Sequence, residues 1–147
     1  MSTRQPQVIL VRHANAEWPA YAGVDFERPL TPQGLAESRS TAVALRDAGH
    51  RPKLLLTSSA TRTLQTAEII ATTLGLPDSA VRRLEKLYNA GPDELDAELR
   101  RAFATVDTVL LVAHNPGVSE LARALTGSAT LASFRTAQWM HIPYKND

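Results

Sequence analysis

The chain has 147 residues, 44% hydrophobic and 21% charged, the size and mix of one ordinary domain over 1–147 with a full core. Its 16 basic and 15 acidic residues are intermixed, so the formal net charge of +1 offers nucleic acid no basic block, and any strong positive field must be local. Cysteine is absent, which excludes a disulfide framework, a thiolate nucleophile and a Cys-based metal site.

The stretch "QVILVRHANAEW" (7–18) opens as an apolar strand and ends on Arg12 and His13, two residues a core does not normally choose. A polar loop with Pro19, Gly23 and Pro29 follows, in which Trp18, Pro19 and Tyr21 are candidates for the rim of a site. "LTPQGLAESRSTAVALRDAGH" then reads as a helix: Thr31 is the N-cap, Pro32 suits the first position, Leu35, Ala42 and Leu45 share a face, and Gly49 stops it. "KLLLTSS" has strand length and composition. "ATRTLQTAEIIATTLG" predicts a second helix with Leu64, Ala67, Ile70 and Leu74 on one face, ended by Gly75 and Pro77. Residues 80–88 are read as an extended piece, and Pro92 starts a third helix presenting Leu95, Leu99, Ala102 and Phe103. "DTVLLVAHNPG" is a buried strand ending on His114, a helix is expected over 116–125, and a weak final strand over 137–142.

Apolar strands alternating with amphipathic helices predict an α/β layered fold with a mostly parallel sheet, because strands covered on both faces read as unbroken Val/Leu runs. No apolar run approaches the roughly 18 to 20 residues of a membrane helix, and residues 8–11 are too short for the apolar core of a signal peptide. The expectation is a soluble cytoplasmic protein with no membrane or nucleic-acid partner.

In open α/β sheets, ligands bind beyond the carboxyl ends of the strands. Unusual residues stand there three times: Arg12 and His13 after the first strand, Ser58, Ser59 and Arg62 after the second, His114 and Asn115 after the fourth. Taken singly, each has a structural reading: a histidine at a strand end is commonly a hydrogen-bonded core group, Arg12 can pair with Asp25 or Glu27, and Arg62 can be a surface arginine. Taken together, two arginines and two histidines beside helix N-termini describe a site for a phosphate-like dianion. His50 and His141 are read as structural, and with no carboxylate cluster near any histidine pair, no metal or other cofactor is expected.

These residues resemble the histidine phosphatase superfamily, the group of phosphoglycerate mutases and acid phosphatases. Its strand-Arg-His-Gly signature stands here as "LVRHA", its second-strand signature as "LLTSSATRTLQTA" and its late histidine as "LLVAHNPG". The short length, "RPLTPQG" (28–34) and "EKLYNA" (85–90) are most similar to the small SixA-type phosphohistidine phosphatases. The resemblance implies a three-layer α/β/α, phosphoglycerate mutase-like fold. It also implies a mechanism: His13 attacks phosphorus and forms a transient phosphohistidine that water hydrolyses, while Arg12, Arg62 and His114 grip the equatorial oxygens without a metal ion. Arg28 and Asn115 are auxiliary phosphate contacts on this reading, though for Arg28 a structural role in the loop stands slightly ahead.

Glu85 stands where larger members carry the acid that protonates the leaving group; beside Lys86 it also reads as a surface residue. Phosphohistidine lessens the need for an acid, since a ring protonated on its other nitrogen leaves as neutral imidazole. The 51 residues from 63 to 113 leave no room for an inserted cap domain, which suits a phosphorylated protein such as a histidine-phosphotransfer domain. A small phosphate ester is the alternative substrate, and a non-catalytic phosphate-binding module the alternative of another class. Two positions depart from the family pattern. Ala14 replaces the usual Gly, which costs about 1 kcal/mol if φ there is positive, and Ser59 replaces a frequent Pro, where it is expected to cap the following helix.

Overall fold

Each unbroken apolar run becomes a strand sandwiched between helices. In the computed structural model, which describes residues 5–17 and 23–145, the strands are β1 (Gln7–Arg12), β2 (Leu54–Ser58), β3 (Val81–Leu84), β4 (Thr108–Ala113) and β5 (Trp139–Pro143). They form one sheet in the order β3-β2-β4-β1-β5. β1 to β4 run parallel, and β5 returns antiparallel on the outer edge of β1. The helices are α1 (Pro32–Asp47), α2 (Thr61–Leu74), α3 (Pro92–Phe103) and α4 (Gly117–Thr126). The rim residues expected at Trp18, Pro19 and Tyr21 lie outside the described residues.

The two-residue period of a strand divides the core in two. Val8 and Leu10 of β1 and Val109 and Leu111 of β4 face one way, packing with Leu95, Leu99 and Ala102 of α3 and Val118 and Leu121 of α4. Ile9, Val11, Leu110 and Val112 face the other way, against Ala42 and Leu45 of α1 and Ala67 and Ile70 of α2. The result is the expected three-layer α/β/α arrangement. Each fully buried leucine contributes roughly 1.5–3 kcal/mol of burial, and truncating one such as Leu99 to Ala would cost about 2–5 kcal/mol.

Local chemistry sets the helix starts. The Thr31 side chain accepts from the Gly34 N–H with Pro32 at the first position, as the sequence indicates. Ser59 is not the cap of α2: Ala60 holds that position, and the side chain that reaches its N–H is Ser58 Oγ, at 3.2 Å. On α2 the face toward the sheet is made by Thr63, Thr66, Ala67, Ile70 and Ala71, so Leu64 and Leu74 sit at its margin, half-buried. Residues 78–88 contain β3 between two 3-10 turns, Asp78–Ala80 and Glu85–Leu87. His50, which follows the end of α1, is half-buried with its ring against Trp139 and His141.

The register levels the ends of the parallel strands. Arg12 pairs with Ala113, and Thr57 with Val112. β4 is inserted between β1 and β2, so the connections leaving β1 and β4 go to opposite faces and open a crevice at their carboxyl ends. Two glycines let loops close on that crevice. A Cβ on Gly34 would stand 1.9 Å from the Asn15 carbonyl oxygen, and one on Gly117 would stand 2.1 Å from that of Ala90.

Candidate active site

A cleft of about 650 Å³ opens at this crevice, lined by Arg12, His13, Arg28, Arg62, His114 and Asn115, and also by Asn15, Asp25, Tyr88, Asn89 and Thr136. The structure therefore brings six of the seven predicted site residues to one place. Glu85 is the exception: it is exposed on its 3-10 turn and does not line the cleft. One turn further on, Tyr88 occupies the wall instead.

His13 is 7% exposed, and its ring lies edge-on to that of His114 with centroids 5.4 Å apart. Its Nδ1 is 2.8 Å from the Ala14 carbonyl. A carbonyl only accepts, so Nδ1 carries the proton and Nε2 presents a free lone pair. The loop below is held from both sides. The Ala14 N–H donates to Thr66 Oγ1 of α2, and the Ala137 N–H donates to the Arg12 and His13 carbonyls. Ala14 is fully buried against Leu30 and Ala137, and it is not among the positive-φ residues of the described chain, so its methyl group is accommodated without backbone strain.

His114 is 2% exposed, with Nε2 2.9 Å from Ser58 Oγ. Ser58 Oγ already accepts from the Ala60 N–H, so its own proton is best satisfied by His114 Nε2, which places the imidazole proton on Nδ1. That Nδ1 is buried without a partner, as are Nε of Arg12 and Nε of Arg62. Three orphaned donors in one cleft are costly in an empty site and appropriate to one that binds an anion. Arg12 is otherwise fixed by Nη1 to the Phe134 carbonyl at 3.0 Å. Asn115 donates to the same carbonyl at 2.9 Å and accepts from Ser119 Oγ, so both ends of its amide are engaged in holding the loop.

Arg62 is 3% exposed rather than a surface arginine. Its Nη1 donates to the Asp25 carbonyl at 2.8 Å and its Nη2 to Asp25 Oδ2 at 3.1 Å. Asp25 stands on the 3-10 turn Asp25–Glu27 at the mouth of the cleft, and also accepts from Arg28 Nε at 2.8 Å and from the Tyr88 hydroxyl. Arg28 further donates to the Glu17 carbonyl. Asp25 thus pairs with Arg28 and Arg62, not with Arg12.

A model of the histidine phosphatase superfamily (branch 1) matches residues 8–104. The chain belongs to this superfamily. Together with its likeness to the SixA phosphatases, this membership makes it a phosphatase, a hydrolase of phosphoryl groups. It is 33% identical over 133 residues to the phosphohistidine phosphatase SixA of Escherichia coli K12, covering 89% of this chain and 81% of that one. It is 31% identical over 131 residues to an uncharacterized chloroplastic protein of Arabidopsis thaliana, covering 84% of this chain but spanning only 60% of that protein's length. Among solved structures, one bearing the SixA name from Agrobacterium tumefaciens superposes with a TM-score of 0.82 at 29% identity, over 96% of this chain and 93% of that one. A protein histidine phosphatase SixA complexed with tungstate superposes with a TM-score of 0.77 at 32% identity, over 89% and 83%.

In this histidine phosphatase the electrostatics follow from burial and charge. Burial pushes His13 down to about 4, reinforced by the charges of Arg62, Arg12 and Arg28 and opposed by the bond to Ala14. Burial likewise pushes His114 down to about 3, with His13 and Arg62 adding to the effect. Both rings are neutral at pH 7, one as a base with a free lone pair and the other as an N–H donor. The Tyr88 hydroxyl, with help from Arg28 and Arg62, holds the Asp25 carboxyl at about 2, while the bond to that carboxylate raises Tyr88 above its ordinary value. Among the described residues no cluster of three His, Cys, Asp or Glu could hold a metal ion, and no helix is long and apolar enough to cross a membrane.

Sequence reasoning missed Asp25 and Tyr88. Their spacing from Arg62 and from each other carries no periodic signal. The clue available was the short interval between Asp25 and Arg28, which places an acid and a base together in the loop that enters α1.

Proposed function

We propose that the protein removes the phosphoryl group from phosphohistidine on another protein, through a phosphorylated His13. The observation that carries this reading is that the cleft holds donors for a dianion and an unprotonated histidine, but no protonated carboxyl group among its described lining residues. Among the described residues Asp25 is its one lining carboxylate and is ionised far below neutral pH; residues 18–22 contain no carboxyl group; Glu85 is exposed and does not line the cleft.

His13 Nε2 attacks phosphorus as the P–N bond of the substrate breaks, and the bond pair stays on the departing ring nitrogen. If that ring is protonated on its other nitrogen it leaves as neutral imidazole, and phosphorylated His13 carries the positive charge instead. No proton moves in this step, so none needs a donor. Arg12, Arg62 and His114 Nδ1–H stabilise the equatorial oxygens, and water then releases phosphate from His13. An alkoxide leaving group would need a proton, and no described carboxyl group of the cleft holds one to give.

The openness of the site supports a protein substrate. Between Arg62 and His114 the chain makes only the rest of α2, β3, two 3-10 turns, α3 and β4, and α3 packs beneath the sheet rather than over the cleft.

The test is incubation with a histidine-phosphotransfer domain labelled on histidine and, in parallel, with para-nitrophenyl phosphate, using wild type and His13→Ala. Wild type should strip the label and His13→Ala should not. Rapid ester turnover with the phosphoprotein left intact would overturn the reading.

A further inference from the structure

The Asp25 carboxylate has a position that phosphate gripping alone does not explain. Its side chain is 43% exposed at the mouth of the cleft, whereas His13 lies on the floor. An in-line attack from the floor sends the leaving group toward the mouth. A carboxylate offers about four acceptor sites on its two oxygens. Oδ2 receives Arg62 Nη2 and the Tyr88 hydroxyl, and Oδ1 receives Arg28 Nε, which leaves one site on Oδ1. Arg62 binds Asp25 through both Nη atoms, so a phosphoryl oxygen on Arg62 lies beside the same carboxylate.

We propose that Asp25 is a specificity-determining residue that accepts the N–H on the far nitrogen of the departing phosphoimidazole, and so selects the protonated ring as leaving group. This rests on the phosphohistidine reading above. The carboxylate stabilises the positive charge while the P–N bond is intact, and holds the imidazole N–H as the bond pair arrives on the other nitrogen. The proton stays on the leaving ring throughout. A phosphate ester has neither the charge nor the N–H, and its developing alkoxide is repelled by the same carboxylate. Arg62 of α2, Arg28 of the entry loop and Tyr88 of the facing wall keep Asp25 ionised, so it remains an acceptor throughout the neutral range.

The experiment compares wild type, Asp25→Asn and Tyr88→Phe on the phosphorylated histidine-phosphotransfer domain and on para-nitrophenyl phosphate from pH 5.5 to 9. For Asp25→Asn, kcat/KM on phosphohistidine relative to the ester should fall about tenfold, and the alkaline limb of kcat on phosphohistidine should move down by about one pH unit. Tyr88→Phe keeps the carboxylate and frees an acceptor site, so its ratio should not fall. An unchanged ratio and an unmoved limb in Asp25→Asn would overturn the inference, because a residue that only braces Arg62 slows both substrates together. An equal fall in Tyr88→Phe would also overturn it, assigning the effect to the network. Wild type that leaves phosphohistidine intact would remove the proposed function and this inference together, whereas the other two outcomes remove the inference alone.

Discussion

Two neutral, buried histidines make the protein sensitive to acid well above the range where carboxylates titrate. In the folded chain His13 and His114 are pushed down to about 4 and about 3, against 6.5 ordinarily. Folded values below unfolded ones mean that stability is full above pH 6.5 and declines as pH falls toward the folded values, because only the unfolded chain takes up the protons. At pH 5 both rings are still neutral in the fold, so the loss is set by the unfolded state, RT ln(1 + 10^1.5), about 2 kcal/mol per histidine or about 4 kcal/mol for the pair. Against a total of roughly 5–15 kcal/mol for a domain, that is a large fraction. Urea unfolding of wild type and of His13→Gln/His114→Gln, in phosphate-free buffer at pH 7.5 and pH 5, measures it. The double variant should lose about 3–4 kcal/mol less than wild type between the two pH values. His50, also lowered, is common to both proteins and cancels. Parallel losses would refute the assignment of neutral histidines to the site.

The two close-approach glycines should be intolerant of a single methyl group. Gly117→Ala, with its Cβ 2.1 Å from the Ala90 carbonyl, and Gly34→Ala, with its Cβ 1.9 Å from that of Asn15, should each lower unfolding free energy by about 1–3 kcal/mol. A change under about 0.5 kcal/mol, within the range of ordinary surface substitutions, would contradict the packing described. Ser58→Ala removes the group that directs the His114 proton to Nδ1, so kcat should fall about tenfold and the 15N shifts of the ring should report the other tautomer. Glu85→Gln, exposed and away from the cleft, should change turnover of either substrate by less than about twofold; a selective loss on the ester would restore Glu85 as acid.

The parts of this site that were legible in the sequence are those carried by strand ends. Arg12, His13 and His114 directly follow apolar runs, and the rule that ligands gather beyond parallel strands places them together without a structure. Arg62 follows from the helix that begins after the next run. The Asp25 network is a different matter. Beyond Arg28, its partners are 37 and 63 residues away, and a loop with no apolar period gives no indication of which wall it will meet. Glu85 and Tyr88 show the same limit at short range. One 3-10 turn separates an exposed carboxyl from a cleft-lining hydroxyl, and an ambiguous nine-residue stretch cannot reveal which side of that turn faces in. The antiparallel direction of β5 was equally hidden, since a short amphipathic strand pairs either way until its neighbour is known.

That returning strand ties the shape of the site to a segment far along the chain from His13. The carbonyls of Arg12 and His13 are anchored by the N–H of Ala137, and β5 covers the edge of β1 from Val11 to Gln7. A ribosome-bound chain that has emerged only as far as α4 already contains His13, Arg12, Arg62 and His114, yet its first strand has an open edge and the loop carrying His13 lacks its second clamp. Catalytic competence therefore waits for β5, and phosphatase activity in stalled nascent chains would mark the moment that β5 clears the exit tunnel.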